Sequence, residues 1–188
     1  MIALPWAPAL PVRTSRLLLR EWRDTDREAF AAIVADPHVM RFYTATRSRA
    51  EADAWIDKMI DGLANGTGHF LAVERKSDGA LLGLTGTGDI NFPIPTEPKL
   101  EIGWVLGKDY WGHGYAPEAA RAVMEHAFTQ LRAPQIVAFT ARVNLPSQRV
   151  MEKLGLVRDP RADFEHPRIA QGHPLRSHVL YRLANPQR

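Results

Sequence analysis

Residues Lys99–Gly155 read KLEIGWVLGKDYWGHGYAPEAARAVMEHAFTQLRAPQIVAFTARVNLPSQRVMEKLG, and their apolar spacing changes twice. Leu100, Ile102, Trp104 and Leu106 alternate with Glu101, Gly103 and Val105, the period of two that gives a strand with two chemically different faces. From Ala116 the spacing becomes helical. Ala119, Ala120, Val123, Met124, Ala127, Phe128 and Leu131 share one stripe, and Pro134 closes it before a strand over Ile136–Val143. Strand, helix and strand in this order make a crossover, so the two strands are expected to be parallel with a right-handed connection. Asn144 then opens a short helix, Ser147–Leu154, that ends at Gly155.

Upstream, the run Arg16–Trp22 (RLLLREW) is short and apolar and predicts a first strand. Thr25 followed by Glu28 has the spacing of a capping box, which predicts a helix from there to about Ala35, before Pro37. Ser48 and Glu51 repeat the pattern. Ala52, Trp55, Ile56, Met59, Ile60 and Leu63 then fall on one helical face until Asn65 and Gly66. His69–Glu74 and Ala80–Thr87 flank the turn Ser77-Asp78-Gly79 and predict an antiparallel hairpin. A turn rich in proline (Pro93, Pro95, Pro98) follows. Beyond Gly155 come Leu156–Arg158, a loop rich in Pro, His and Arg, and a last strand near His178–Leu183.

The 188 residues, 45% hydrophobic and 24% charged, suit a single domain over 1–188, with 1–13 as an extended leader interrupted by Pro5, Pro8 and Pro11. No stretch approaches the roughly 20 apolar residues of a membrane helix. Cysteine is absent, which removes disulfides, thiolate metal sites and a cysteine-bound acyl intermediate, and fits a reducing cytoplasm. The net charge of +3 is spread along the chain, so a nucleic-acid partner is disfavoured while an anionic small ligand is suited. No metal-ligand spacing is evident, including among the two His-Pro dipeptides His166-Pro167 and His173-Pro174, which most simply stiffen a loop.

The chemistry concentrates in Tyr110-Trp111-Gly112-His113-Gly114-Tyr115-Ala116, between strand and helix. Two glycines and an alanine leave backbone N–H groups uncovered, and the helix N-terminus behind them carries about half a positive charge. Pro117 in the first turn has no N–H to waste. This is an anion cradle, or else an ordinary glycine turn. A dinucleotide fingerprint fails, because its third glycine and following acidic residue are missing, and no Gly-Lys-Ser/Thr exists for a P-loop.

The segments EIGWVLGKDYWGHGYAPEAARAVMEHAF and TARVNLPSQRVMEKLGL, in this order, resemble the acetyl-CoA site of the GNAT N-acetyltransferase superfamily. With RLLLREWRDTDREAF at the start, the chain is similar over nearly its whole length to the branch of the RimJ and RimL ribosomal-protein acetyltransferases. That resemblance implies an α/β (α+β) fold: a central mixed, mostly antiparallel twisted sheet with two parallel splayed strands, flanked by helices. It also implies acetyl-CoA as co-substrate, no metal, and direct acetyl transfer to a primary amine, either a protein N-terminus or a small molecule. The protein would be a monomer or homodimer.

The family's cofactor loop (Gln or Arg, any, any, Gly, any, Gly or Ala) aligns with Trp111, Gly112, His113, Gly114, Tyr115 and Ala116, and Trp111 departs from it. Because the resemblance implies that backbone N–H groups hold the pyrophosphate, an aromatic there is compatible with binding. By position, Trp104, Val105 and Leu106 would pair with the pantetheine arm. Asn144 would bond the pantetheine amide, and it also has the role of helix N-cap open to it. Ser147 matches a serine beside the CoA sulfur, and Arg149 and Lys153 could reach a 3′-phosphate. Glu101 matches a family carboxylate that deprotonates the amine. His113, His69 and Tyr110 are secondary proton carriers. Two rivals stand beside the enzyme: a CoA-binding sensor module that has lost turnover, and an RNA- or ribosome-associated protein.

Overall fold

The computed structural model describes residues 10–97 and 100–187, so most of the leader and the Pro98-Lys99 pair lie outside the described residues. Among the described residues the strands are β1 (Val12–Arg13), β2 (Leu17–Arg20), β3 (Gly68–Arg75), β4 (Leu81–Asp89), β5 (Leu100–Leu106), β6 (Gln135–Ala141), β7 (Val157–Arg158), β8 (Phe164–Glu165) and β9 (Ser177–Ala184). They form one sheet in the order β1-β2-β3-β4-β5-β6-β9-β7, with β8 beside β9. Every pair is antiparallel except β5 with β6, which is parallel as the crossover pattern predicts.

The helices are α1 (Arg27–Ala35), α2 (Pro37–Met40), α3 (Arg49–Asn65), α4 (Tyr115–Thr129) and α5 (Leu145–Lys153). Strand alternation sorts them onto two faces. Leu71, Val73, Ile102 and Leu106 pack with Ala119, Ala120, Val123 and Ala127 of α4 and with Met151 of α5. Ala72, Leu84 and Val105 face Phe30 and Val34 of α1 and Ala52, Ile56 and Met59 of α3. Glu101, two residues and therefore one pleat from Gly103 and two from Val105, belongs to the face covered by α1 to α3.

Helix α3 follows its sequence signals closely. The Ser48 N–H donates to Glu51 Oε2 at 2.8 Å, the Glu51 N–H donates to Ser48 Oγ at 3.3 Å, and Gly66 closes the helix at φ 68°. The expected box at Thr25 and Glu28 does not form. A 3-10 turn over Asp24–Asp26 precedes α1, and Asp26 takes the role instead, accepting the Arg23 N–H at 2.8 Å. The reason is a buried ion pair: Arg20 donates to both Asp26 oxygens at 2.7 and 2.8 Å and to Glu74 at 2.6 Å, fixing Asp26 where Thr25 is exposed.

Pro37 ends one helix as expected and also starts another, α2, whose cap is Asp36 accepting the His38 N–H at 2.8 Å. The long helix stops at Thr129, short of Pro134, because the chain turns through Arg132 at φ 52°. β6 ends at Ala141, two residues before the expected Val143, because the Asn144 cap already bends the chain there.

Candidate functional site

Parallel strands β5 and β6 share one register pair, Glu101 with Val137, whereas β4 pairs β5 from Gly83 with Leu106 through Asp89 with Leu100. Past Glu101 the two strands diverge. Among the described residues the edge of β5 from Ile102 to Leu106 therefore has no partner strand, and it opens into a cavity of about 1530 Å³ lined by α2 to α3, β5, the loop before α4, and the start of α5. A sheet edge of this kind offers unpaired N–H and C=O groups to any extended amide chain.

At the far end of that edge lies the glycine loop. Gly112 and Gly114 have φ of 80° and 79°, a left-handed conformation that glycine adopts without steric cost. A Cβ on Gly112 would meet nothing within 4 Å, so the backbone faces open space. The Trp111 N–H bonds the Lys108 carbonyl, while the N–H groups of Gly112, His113, Gly114, Tyr115 and Ala116, across the turn at 111–114, make no well-formed hydrogen bond among the described residues. Unpaired N–H groups seek an acceptor, and five in succession at the head of α4 form an anion cradle in the geometric sense.

The cradle is held from outside. Arg16 donates to the His113 carbonyl at 2.9 Å and to Glu118 Oε2 at 2.7 Å, and its guanidinium lies 4.6 Å from the Tyr115 ring centre. Burial alone would raise Glu118, but hydrogen bonds from Thr14, Arg16 and Ser15 hold it down to about 2, so it stays ionised in the first turn of α4. The Trp111 indole N–H donates to the Leu106 carbonyl at 2.8 Å, tying the loop to the end of β5. The aromatic residue at the unusual position thus has a structural partner.

The sequence matches the acetyltransferase (GNAT) domain model over residues 16–157. The chain belongs to the GNAT acetyltransferase family. It is 32% identical over 149 residues to the uncharacterized N-acetyltransferase YnaD of Bacillus subtilis, covering 79% of this chain and 83% of that protein. The crystal structure of a GNAT acetyltransferase from Bacillus anthracis superposes with a TM-score of 0.78 at 26% identity, covering 94% of this chain and 99% of that one. The fold is also that of the ribosomal-protein-S5-alanine acetyltransferase from Vibrio fischeri, with a TM-score of 0.73 at 17% identity and coverage of 94% of this chain and 97% of that one. This acetyltransferase accordingly takes acetyl-CoA as co-substrate. Among the described residues no helix is long and apolar enough to cross a membrane.

The structure gathers most of the residues singled out in the sequence. Glu101, Trp104, Val105, Leu106, Tyr110, Trp111, Gly112, Gly114, Tyr115, Ala116, Asn144, Ser147, Arg149 and Lys153 all line the cavity. Asn144 caps α5: its Oδ1 accepts the Ser147 N–H at 3.2 Å, and its Nδ2 donates to Thr140 Oγ1 at 2.8 Å, leaving a second amide hydrogen for a ligand. Arg149 and Lys153 are exposed at the rim, and Ser147 is half-buried.

Two assignments change. His69 is buried on the opposite side of β3, beside His126 of α4, and does not line the cavity; burial holds its pKa down to about 4. His113 is exposed and points its ring towards Tyr115, 5.7 Å away, so only its backbone belongs to the cradle.

Glu101 is the perturbed carboxyl on the edge strand of the cleft. Desolvation pushes its carboxyl up to about 7, with the charge of Arg168 opposing the rise. Tyr43, across the cavity, is raised to about 12, first by desolvation and then by the Glu101 charge. Arg16 and Glu118, which meet across 102 residues, carry no local signal in the sequence, whereas Arg168 belongs to the Pro/His/Arg-rich loop for which a substrate lip is the functional alternative.

Proposed function

We infer that this enzyme transfers the acetyl group of acetyl-CoA directly to a primary amine, with Glu101 as general base and Ser147 assisting the leaving thiolate. One observation carries the reading: the unpaired edge of β5 runs from the Glu101 carboxylate at one end to five free N–H groups at the other. A pantetheine arm lying along Trp104–Leu106, with its pyrophosphate on Gly112–Ala116, would bring the thioester towards Glu101. Asn144 supports the arm with its free amide hydrogen, while Arg149 and Lys153 suit the 3′-phosphate.

The amine nitrogen attacks the thioester carbon, the new C–N bond replaces the C–S bond, and one amine proton passes to Glu101. Backbone N–H groups near Val105 stabilise the oxyanion, and the sulfur departs as a thiolate to which the Ser147 hydroxyl donates a hydrogen bond until it is protonated. A carboxylate held near pH 7 is better matched to this proton than one at its ordinary value. The fold likeness to ribosomal-protein acetyltransferases is compatible with a protein N-terminus as acceptor, and we read the compartment as cytoplasmic.

Incubation with acetyl-CoA and a panel of peptides, amino acids, polyamines and aminoglycosides, followed by free-thiol release and product mass, tests the reading. Thiol release with an N-acetylated product is expected. Tight acetyl-CoA binding without turnover on any amine would instead support a sensor module.

A further inference from the structure

The cavity continues past Glu101, away from the glycine loop, into a compartment walled by Ile90, Phe92, Phe139 and His166. Phe92 and Phe139 meet edge to face at 5.8 Å, and the His166 ring lies 4.7 Å from Phe92. Burial first, and then the charges of His178, Arg168 and Arg176, hold His166 down to about 4, so this wall is uncharged at neutral pH.

Arg168 overlooks the compartment. Arg168 donates to the Asn91 side-chain oxygen at 2.5 Å and sits 5.1 Å from the Phe92 ring centre. Both partners are neutral, and among the described residues Arg168 makes no ion pair, unlike Arg176 in the same loop, which pairs with Glu165 at 3.2 Å. The loop is fixed there because Arg176 also donates to the Ile169 carbonyl. Arg168 is thus a guanidinium held in place by neutral groups, without an ion pair among the described residues and close enough to Glu101 to oppose the rise of its carboxyl. A pre-positioned guanidinium of this kind is suited to a carboxylate, which it can hold with two hydrogen bonds.

We propose that the acceptor is a free α-amino acid with an apolar side chain, its carboxylate bound by Arg168, its side chain against Phe92 and Phe139, and its amine presented to Glu101. The proposal rests on the acetyl-transfer reading above and narrows its acceptor. A polyamine would bring several positive charges to Arg168 and an apolar wall; Asp89 also lines the cavity beside Ile90, which makes spermidine the comparison that decides between the two acceptors. A peptide N-terminus lacks the adjacent carboxylate that Arg168 would bind.

The test compares kcat/KM for leucine, methionine and phenylalanine with that for their amides, for spermidine and for a short peptide, using the full chain and saturating acetyl-CoA. The free acids are expected to exceed their amides by about tenfold or more, the worth of one charge-assisted hydrogen bond. In Arg168→Gln this preference should collapse towards unity through a rise in KM for the acids, and Arg168→Lys should restore part of it. Amides, spermidine or peptide used as well as the free acids would overturn the proposal, as would a variant that slows acids and amides equally. Turnover on polyamines or peptides alone refutes the amino-acid acceptor and leaves acetyl transfer standing. Absence of turnover on every amine refutes both.

Discussion

Replacing Glu101 with Gln separates the proton-transfer role proposed for this carboxylate from its place in the cleft. Gln keeps the shape and removes the base, so kcat at pH 8 is expected to fall by about 10²- to 10⁴-fold, the usual worth of a general base. The pH dependence is the sharper test. With its carboxyl raised to about 7 by burial, roughly a tenth of the wild-type enzyme carries the ionised base at pH 6, half at pH 7 and nine-tenths at pH 8. The rate should therefore climb about tenfold between pH 6 and pH 8, whereas a carboxylate near its ordinary 4.5 would contribute almost nothing over that interval. The substrate amine also loses its proton in this range, with a reference value near 8 for an α-amine. That limb is common to both proteins, so the ratio of wild-type to Glu101→Gln rates isolates the carboxylate. Initial rates of thiol release from pH 5.5 to 9 at saturating acetyl-CoA give the ratio directly. A ratio that is flat above pH 5.5, or a variant within threefold of wild type throughout, would refute Glu101 as base.

The same substitution should act on stability with a definite sign. A carboxyl raised on folding binds its proton more tightly in the native state, so its contribution is present below about pH 4.5 and is lost as pH rises towards 7. Glu101→Gln should accordingly raise Tm at pH 8 relative to wild type and leave the difference small at pH 4, by calorimetry; a lower Tm at pH 8 would contradict this. Gly114→Asp puts a side chain at φ 79° and a negative charge in the cradle, and should abolish acetyl-CoA binding by calorimetric titration while thermal unfolding remains cooperative. Arg16→Ala removes the hold on the His113 carbonyl and on Glu118, and should raise KM for acetyl-CoA by about 3- to 30-fold, with the smaller effect on kcat.

What the sequence made legible was local. The α3 boundaries follow from a capping pair three residues apart and a glycine, and the cradle follows from two glycines two residues apart before a helical stripe. The parallel pairing of β5 and β6 follows from the crossover, and Glu101 follows from its place on an alternating strand. What stayed hidden depends on residues distant in the chain. Thr25 and Glu28 have the right spacing for a cap, but Arg20 and Glu74 settle the matter through Asp26. His69 alternates onto the α4 face because of the register of β3 with β4, which a hairpin prediction does not fix. Arg16 lay within a strand-like run, and nothing local marks Glu118 as its partner. Arg168 gains meaning from Asn91 and Phe92, contributed by the loop between β4 and β5.

The N–H groups of Gly112–Ala116 are proposed to receive the pyrophosphate of acetyl-CoA. Backbone amide hydrogen exchange, followed residue by residue with and without saturating acetyl-CoA, tests this directly. These five amides should exchange quickly in the free protein and slow by about tenfold or more on binding, as new hydrogen bonds form. Unchanged exchange at all five, in a sample that titration shows to be saturated, would contradict the account.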